Sequence, residues 1–325
     1  MPRQRFENLG GVRNTKTLRD VRKWRRQKKA KIKDYSYKVP YCENRQLELL
    51  RGNRTETTVT WIGHSSFLVQ IAGINLLLDP VWAERMGLDK RMTEPGIHLA
   101  ELPRIDAVLL SHSHYDHMDL SSLKRLLRLN HHLQLFVPEG LGTKLMTSGF
   151  HRVTELSWWG RVRLVGMELH FVPAQHWTRR TLTDANRSHW GGWVLKPYEG
   201  EGCGKAIYFA GDSGYFPGFK MIGDRFDIGI ALLPIGAYEP EWFMHMQHMT
   251  PEEAVQSFID CRAEHFVPMH YGAYKLSNDT PLEALNRLKS EWKRRGLATE
   301  RLHLLKLGET MPGQTLHNKE ENADA

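Results

Sequence analysis

From Val59 onward the chain alternates short apolar runs with polar breaks. Val59–Ile62, Ser66–Ile71 and Ile74–Leu78 are rich in β-branched and aromatic residues, and Ala72-Gly73 separates the last two. This pattern predicts three strands, the second and third joined by a tight turn. Asp106–Leu110 is a short apolar run suited to a buried strand. Ser121–Leu129 places Leu123, Leu126 and Leu127 on one helical face, with Ser121 as the expected cap. Further strands are predicted near Leu133–Val137, Glu168–Val172, Trp190–Leu195, Ala206–Phe209 and Ile228–Leu233. Helices are predicted over Phe216–Phe226, Pro251–Cys261 and Pro281–Arg295. Thr250-Pro251-Glu252-Glu253 marks a helix start: a cap, a proline in the first turn, then acids. Hairpins come first and strands alternating with helices follow, which predicts two sheets sandwiched between helices. The polar tail after Pro312 is expected to be mobile.

Before this body, residues 1–45 read as an arm and residues 46–325 as the folded domain. Leu18, Val21 and Trp24 fall at helical spacing among Arg19, Arg22, Lys23, Arg25 and Arg26. The segment is either a short basic amphipathic helix or a solvated tail. Charge sharpens the division. The 325 residues carry a formal net charge of +8, but residues 1–40 hold 14 Lys and Arg against 3 Asp and Glu, or +11. The remaining 31 basic and 34 acidic residues leave the body at −3. A basic arm calls for an anionic partner, either phospholipid headgroups or nucleic acid.

Composition excludes several classes. With 41% hydrophobic and 25% charged residues, the chain is not collagen-like, wholly disordered or a polytopic membrane protein. Thr57–Leu78 is uncharged and long enough to suggest a membrane span, yet His64, Gln70, Asn75, two glycines and many β-branched residues make it read as strands. Cys42, Cys203 and Cys261 form no CxxC pair, so a reducing, cytoplasmic setting is expected, and any metal site must be built from His and carboxylates.

The chemistry concentrates in His112-Ser113-His114-Tyr115-Asp116-His117, directly after an apolar strand. Neutral imidazole suits zinc and related ions, and carboxylate supplies charge. His112 and His114 can converge on one ion, leaving Asp116 and His117 to face a second. His176, Asp212 and His270 each follow another apolar strand, where α/β folds gather functional groups. The seven side chains suffice for two ions with one bridging carboxylate. Zinc fits this donor set, as do iron and manganese.

This pattern resembles the metallo-β-lactamase fold superfamily, and within it the N-acylphosphatidylethanolamine-hydrolysing phospholipase D family and its bacterial relatives. The resemblance is carried by Trp61-Ile62-Gly63-His64, Leu78-Asp79-Pro80, Ile105–Leu109 running into the His motif, Gln175-His176-Trp177, Arg179–Leu182 and Trp190–Trp193. It continues through Phe209–Tyr215, Pro234–Pro240, Trp242-Phe243-Met244, Gln247-His248, Pro251–Ala254 and His270; in the arm it is confined mainly to Arg5-Phe6. It implies a four-layer αββα sandwich. It implies one zinc ion on His112, His114 and His176, a second on Asp116, His117 and His270, and Asp212 bridging them. Asp79 and His64 are implied to support the ligands from beneath.

The activity implied is hydrolysis of N-acylphosphatidylethanolamine to N-acylethanolamine and phosphatidic acid, with a bridging hydroxide attacking phosphorus. Asp116, Asp212 and His248 are the expected catalytic residues, and Gln247, His248, Tyr238 and Trp242 the expected substrate contacts. Trp158, Trp159, Trp177, Phe243 and Met244 could join them in an apolar groove, and Arg179 and Arg180 either bind a phosphate or solvate a loop. A lipid substrate directs the arm of residues 1–40 towards an anionic membrane surface, with no nucleic acid expected. The alternatives are another hydrolase on the same fold, a lactonase or a nuclease using the basic arm, and a non-enzymatic binding protein with a structural metal site.

Overall fold

In the computed structural model residues 5–13, 16–30, 33–198 and 204–312 are described, without the side chains of 28–30; Cys203 and the tail after Pro312 lie outside them. The apolar runs become strands with both faces covered. The first sheet has the order β15-β1-β2-β3-β6-β7-β8, built from β1 (Thr58–Gly63), β2 (Ser66–Ile71), β3 (Ile74–Leu78), β6 (Ala107–Leu109), β7 (Gln134–Pro138), β8 (Val153–Leu156) and β15 (Thr310–Pro312). The second has the order β14-β13-β12-β11-β10-β9, from β9 (Arg161–Leu164), β10 (Met167–Val172), β11 (Gly192–Pro197), β12 (Ala206–Phe209), β13 (Ile228–Pro234) and β14 (His265–Met269). A two-stranded ribbon, β4 (Arg85–Met86) with β5 (Asp89–Lys90), lies apart.

Period-two alternation sorts the side chains. Phe67, Val69, Leu76, Leu78 and Leu109 point between the sheets, where they join Phe171, Trp193, Phe209 and Leu232. Leu68, Leu77, Val108 and Leu135 point outward and are covered by Leu123 and Leu126 of α3 (Leu120–Leu129) and Leu145 of α4 (Gly142–Thr147). The outer face of the second sheet is covered by α7 (Pro251–Asp260) and α8 (Pro281–Arg294) through Val255, Phe258, Leu288 and Trp292. Helix, sheet, sheet and helix form the expected four layers.

Each half changes from antiparallel to parallel pairing: β1, β2 and β3 are antiparallel and β3, β6, β7 and β8 parallel. In the second sheet β9 to β12 are antiparallel and β12 to β14 parallel. Ala72 and Gly73 both take positive φ (51° and 75°), the two-residue turn whose twist matches a hairpin.

Two local expectations need correction. The cap of α3 is Asp119, whose carboxylate accepts from Ser121 N and Ser122 N; Ser121 already lies inside the helix. The helix expected over Phe216–Phe226 is only α5 (Gly218–Gly223); Gly223, its last residue, passes so close to Cys261 that a Cβ there would fall 2.6 Å from its Cα. The short α2 (Leu47–Gly52) and α6 (Glu241–Met244) complete the body.

The arm is not a solvated tail. Its basic amphipathic stretch is α1 (Leu18–Ala30), with Val21, Trp24 and Gln27 turned towards the body and Arg19, Arg22, Lys23, Arg25 and Arg26 exposed. Trp24 stacks on Phe243 at 5.3 Å, and Lys23 lies 4.4 Å over the Trp242 ring. The Trp242 indole N–H donates to Gln27 Oε1 at 3.0 Å. Lys33 pairs with Glu239 and Glu283, and Phe6 stacks on His189 at 4.4 Å. Among the described residues no helix is long and apolar enough to cross a membrane.

The α7 start carries the fold's clearest local signature. Thr250 Oγ1 accepts from Glu253 N while Glu253 reaches back to Thr250 N. Thr250→Ala is expected to cost about 1 kcal/mol, measured as a lowered urea midpoint with an unchanged slope.

Candidate metal centre

Five strand ends deliver the site. Asp79 follows β3, the His112–His117 loop follows β6, His176 follows β10, Asp212 follows β12 and His270 follows β14. Asp79 and His270 leave their strands at positive φ (38° and 63°), as does His64 (55°) between β1 and β2. Such backbone costs about 1–3 kcal/mol per residue and persists where the surroundings hold it. Gly236 shows how tightly: a Cβ there would lie 2.0 Å from the carbonyl oxygen of His270. Gly211, at φ 62°, likewise sits where a Cβ would meet Ser111 at 2.7 Å, which lets Asp212 pass beside the His loop.

The side chains converge in two main groups, His112, His114, His176 and Asp212 in one and His64, Asp116, His117 and His270 in the other; smaller groups bring Asp79 beside His112 and His117, and His248 beside Asp212 and His270. His112 Nε2 and His176 Nε2 lie 2.9 Å and 3.1 Å from His114 Nδ1. Asp212 stands between the groups. Its Oδ2 is 3.8 Å from His112 Nε2, 3.7 Å from His176 Nε2 and 3.2 Å from His117 Nε2, while its Oδ1 is 3.1 Å from His270 Nε2. Asp116 Oδ2 faces His117 and His270 Nε2, both at 3.5 Å, and His64 Nε2 at 3.1 Å. All seven residues singled out as ligands therefore meet in one place.

Supporting contacts fix the ring orientations. The Asp79 carboxylate, fully buried, accepts from His117 Nδ1–H at 2.7 Å and from Ser111 N at 2.7 Å. This turns His117 Nε2 towards Asp116 and Asp212. His176 Nδ1 donates to the Gln247 carbonyl at 2.9 Å, which turns its Nε2 towards His114. Such outer partners set the tautomer and raise ligand basicity. Arg180 braces the loop from outside, donating to Ser113 O at 2.6 Å and Met118 O at 2.8 Å while stacking over Tyr115.

Electrostatics separate the members. Burial drives His112 and His176 well below the usual histidine range and His114 down to about 4, the neutral form a metal needs. Burial alone would raise Asp212 and Asp116. The imidazoles beside them, His117 and His270 foremost, outweigh it and hold both carboxyls well below the usual range. Burial opposes protonation of His117 and His270 too, but Asp212 and Asp116 raise both, His270 to about 9. The two carboxylates thus mark where positive charge belongs. His117 Nε2, His270 Nε2 and Asp212 Oδ1 are buried without a hydrogen-bond partner. Orphaned buried donors and acceptors of this kind are costly, and metal ligation satisfies all three. The residues fit a His/Asp metal centre.

Residues 74–271 match the family model described as the beta-lactamase superfamily domain. The chain belongs to this superfamily. It is 36% identical over 247 residues, 71% of the chain, to the N-acyl-phosphatidylethanolamine-hydrolyzing phospholipase D 1 of Caenorhabditis elegans. It is 30% identical over 71% of its length to a metal-dependent hydrolase of Pyrobaculum aerophilum, covering 94% of that protein. A solved metallo hydrolase from Ignicoccus hospitalis superposes with a TM-score of 0.60 at 26% identity, covering 79% of this chain and 98% of that one. The chain spans 68% of the nematode phospholipase and 56% of a Saccharomyces cerevisiae mitochondrial one. It is therefore a metal-dependent hydrolase with the metallo-β-lactamase fold.

In this superfamily member the expected substrate contacts divide. His248 reaches the site: its Nδ1 lies 3.9 Å from Asp212 Oδ2, and its ring sits between those of His176 and His270. Gln247 is buried and accepts from Lys16 Nζ at 2.8 Å, so it supports His176 rather than facing open space. Tyr238 is not a groove residue: it is fully buried in the core, with Arg287 over its ring. Trp242 and Phe243 are engaged by the arm, Met244 is buried, Trp159 lies under Arg225 and Trp158 against His189. Of these expected aromatics Trp177 meets the cluster, edge-on to His114 at 5.0 Å; Tyr274, not singled out in the sequence, packs edge-on to His64 at 5.4 Å. Trp177 lines an open groove with Arg179, Thr181 and the exposed Leu182. Ser111 had no signal in the sequence beyond its nearness to the motif, and Arg180, read as a phosphate or loop cation, instead braces carbonyls 62 and 67 residues away.

The Gly236 contact gives a sharp test. Gly236→Ala must move the His270 backbone. It is expected to lower metal affinity about tenfold or more and stability by about 1–3 kcal/mol, read by chelator competition and thermal unfolding.

Proposed function

We propose that this protein is a dinuclear zinc phosphodiesterase of the phospholipase D type, cleaving N-acylphosphatidylethanolamine to N-acylethanolamine and phosphatidic acid. The observation that carries the reading is the two-sided placement of Asp212 between two His-rich groups, in a chain related at 36% identity to a phospholipase of that activity. His112, His114 and His176 would hold one ion, Asp116, His117 and His270 the other, with Asp212 shared. Bound there, zinc supplies Lewis acidity and brings a water's pKa to about 7. In the reaction a water oxygen forms the new bond to phosphorus, the bond to the ethanolamine oxygen breaks, and a proton passes to the departing alcohol. The chain's own part is to fix the ligands, through Asp79, Gln247 and Arg180, and to offer His248 beside Asp212 as the contact for the leaving group.

The arm suits the same reading. The α1 face left exposed carries Arg19, Arg22, Lys23, Arg25 and Arg26. Each cation near an anionic leaflet contributes roughly 1 kcal/mol. An anionic membrane surface is thus the partner proposed for the arm.

Purified protein given N-acylphosphatidylethanolamine vesicles and zinc is expected to release N-acylethanolamine and to hold two zinc ions by elemental analysis. Asp212→Ala is expected to abolish release. His248→Ala is expected to lower turnover by about 10²-fold with metal content unchanged. Cleavage of a lactone or RNA with the lipid untouched would overturn the substrate and leave the hydrolase standing.

Replacing Arg19, Arg22, Arg25 and Arg26 together by Gln keeps the docked face intact. It is expected to weaken co-sedimentation with phosphatidylglycerol vesicles at least tenfold, while hydrolysis of detergent-dispersed lipid stays near wild type. Unchanged vesicle binding would remove the membrane role of α1.

A further inference from the structure

We infer that Asn8 is a positioning residue for the metal centre: its carboxamide clasps the backbone of His176 and makes the N-terminal segment part of the site. Asn8 Nδ2 donates to the His176 carbonyl at 2.9 Å, and Asn8 Oδ1 accepts from His176 N at 2.9 Å. The remaining capacity of the amide is also used. Nδ2 donates to Val12 O at 3.0 Å, and Oδ1 accepts from the Trp190 indole N–H at 2.9 Å. Two donors and two acceptor sites are all an asparagine amide offers, so its orientation is fully determined.

The need for such a clasp follows from where His176 sits. It lies four residues beyond the end of β10, past the last ladder contact that fixes the strand. The neighbouring Gln175 is tied to Gly214 and Ser213, but both backbone groups of His176 itself go to Asn8. The ring is held from the same segment. His176 Nδ1 donates to Gln247 O, and Gln247 Oε1 accepts from Lys16. Asn8 is in turn held by its neighbour Phe6, stacked on His189 and donating its N–H to Asn186 O at 2.8 Å. Main chain and imidazole of one ligand are therefore both referred to the arm.

The inference rests on the metal-binding part of the proposed function and not on the lipid substrate. Its test reads metal and not turnover. Full-length Asn8→Ala is titrated with zinc against a chromophoric chelator, beside wild type and Arg13→Ala, an exposed change in the same segment. Arg13→Ala is expected to match wild type. Asn8→Ala is expected to bind at the His112–His114–His176 group about tenfold or more weakly. At a free zinc concentration that just saturates wild type it then retains about one ion fewer, with the second ion at wild-type affinity. Circular dichroism verifies that the variant is folded. If Asn8→Ala does not fold, Asn8→Ser carries the test: its single hydroxyl fits the same space but cannot serve both backbone groups of His176, and a loss at the same group is expected. Wild-type affinity for both ions in a folded variant, or equal weakening of both, would overturn the assignment. Failure to cleave lipid with this metal signature intact would count against the substrate alone.

Discussion

The structure depends on a carboxylate kept out of water. Asp212 is almost wholly buried, yet it must remain charged to act between two ligand groups. An ionised carboxylate removed from solvent is expensive unless paired and hydrogen-bonded. Five imidazoles, His112, His117, His176, His248 and His270, lie within 3.9 Å of it and supply the compensation, and they come from segments far apart in sequence. The sheets bring the ends of β6, β10 and β14 within reach of the oxygen pair that follows β12. A scaffold with apolar strands covered on both faces holds those ends rigidly, and the remaining freedom is removed by glycines such as Gly211 and Gly236, where no side chain fits.

The same requirement explains why strain collects there. Asp79, His64 and His270 adopt backbone conformations that non-glycine residues avoid. Each is held by contacts that would be lost in a relaxed turn: Asp79 by Ser111 and His117, His270 by the His64 carbonyl, His64 by Asp116. The core meets this cost because Phe67, Trp193, Phe209 and their neighbours are buried independently of the site.

Much of this was legible in the chain. Strand-length apolar runs ending in His or Asp encode both the sheet and the ligands in short windows, so the seven ligand positions could be read without a structure and are found together. Long-range complementarity could not be read that way. Asn8 lies 168 residues from the ligand it clasps, and nothing in its local sequence distinguishes it from any loop asparagine. Tyr238 and Trp242 look alike as aromatics near the His/Met-rich segment, but one is a core residue and the other a docking surface for α1, a difference set by tertiary packing. Arg180 reads as a loop cation because the carbonyls it braces belong to another segment. The cap of α3 falls on Asp119, two residues before Ser121: both residue types cap well, and only the backbone angles decide.

The stacking of Trp24 on Phe243 has a further consequence. Among its described side chains, α1 commits its aromatic edge to its own protein and leaves Leu18, at its first turn, as the one large apolar group exposed, too little to push a wedge among acyl chains. On the reading that α1 meets a bilayer, it meets it as a charged plate and not as an inserted anchor. Such adsorption rests on counterion-screened attraction, whose range is about 8 Å at physiological ionic strength. It is therefore graded, reversible within each encounter and tuned by salt and by leaflet composition, so residence on the surface and access to the catalytic mouth are governed by the ionic environment more than by the depth of any embedded group.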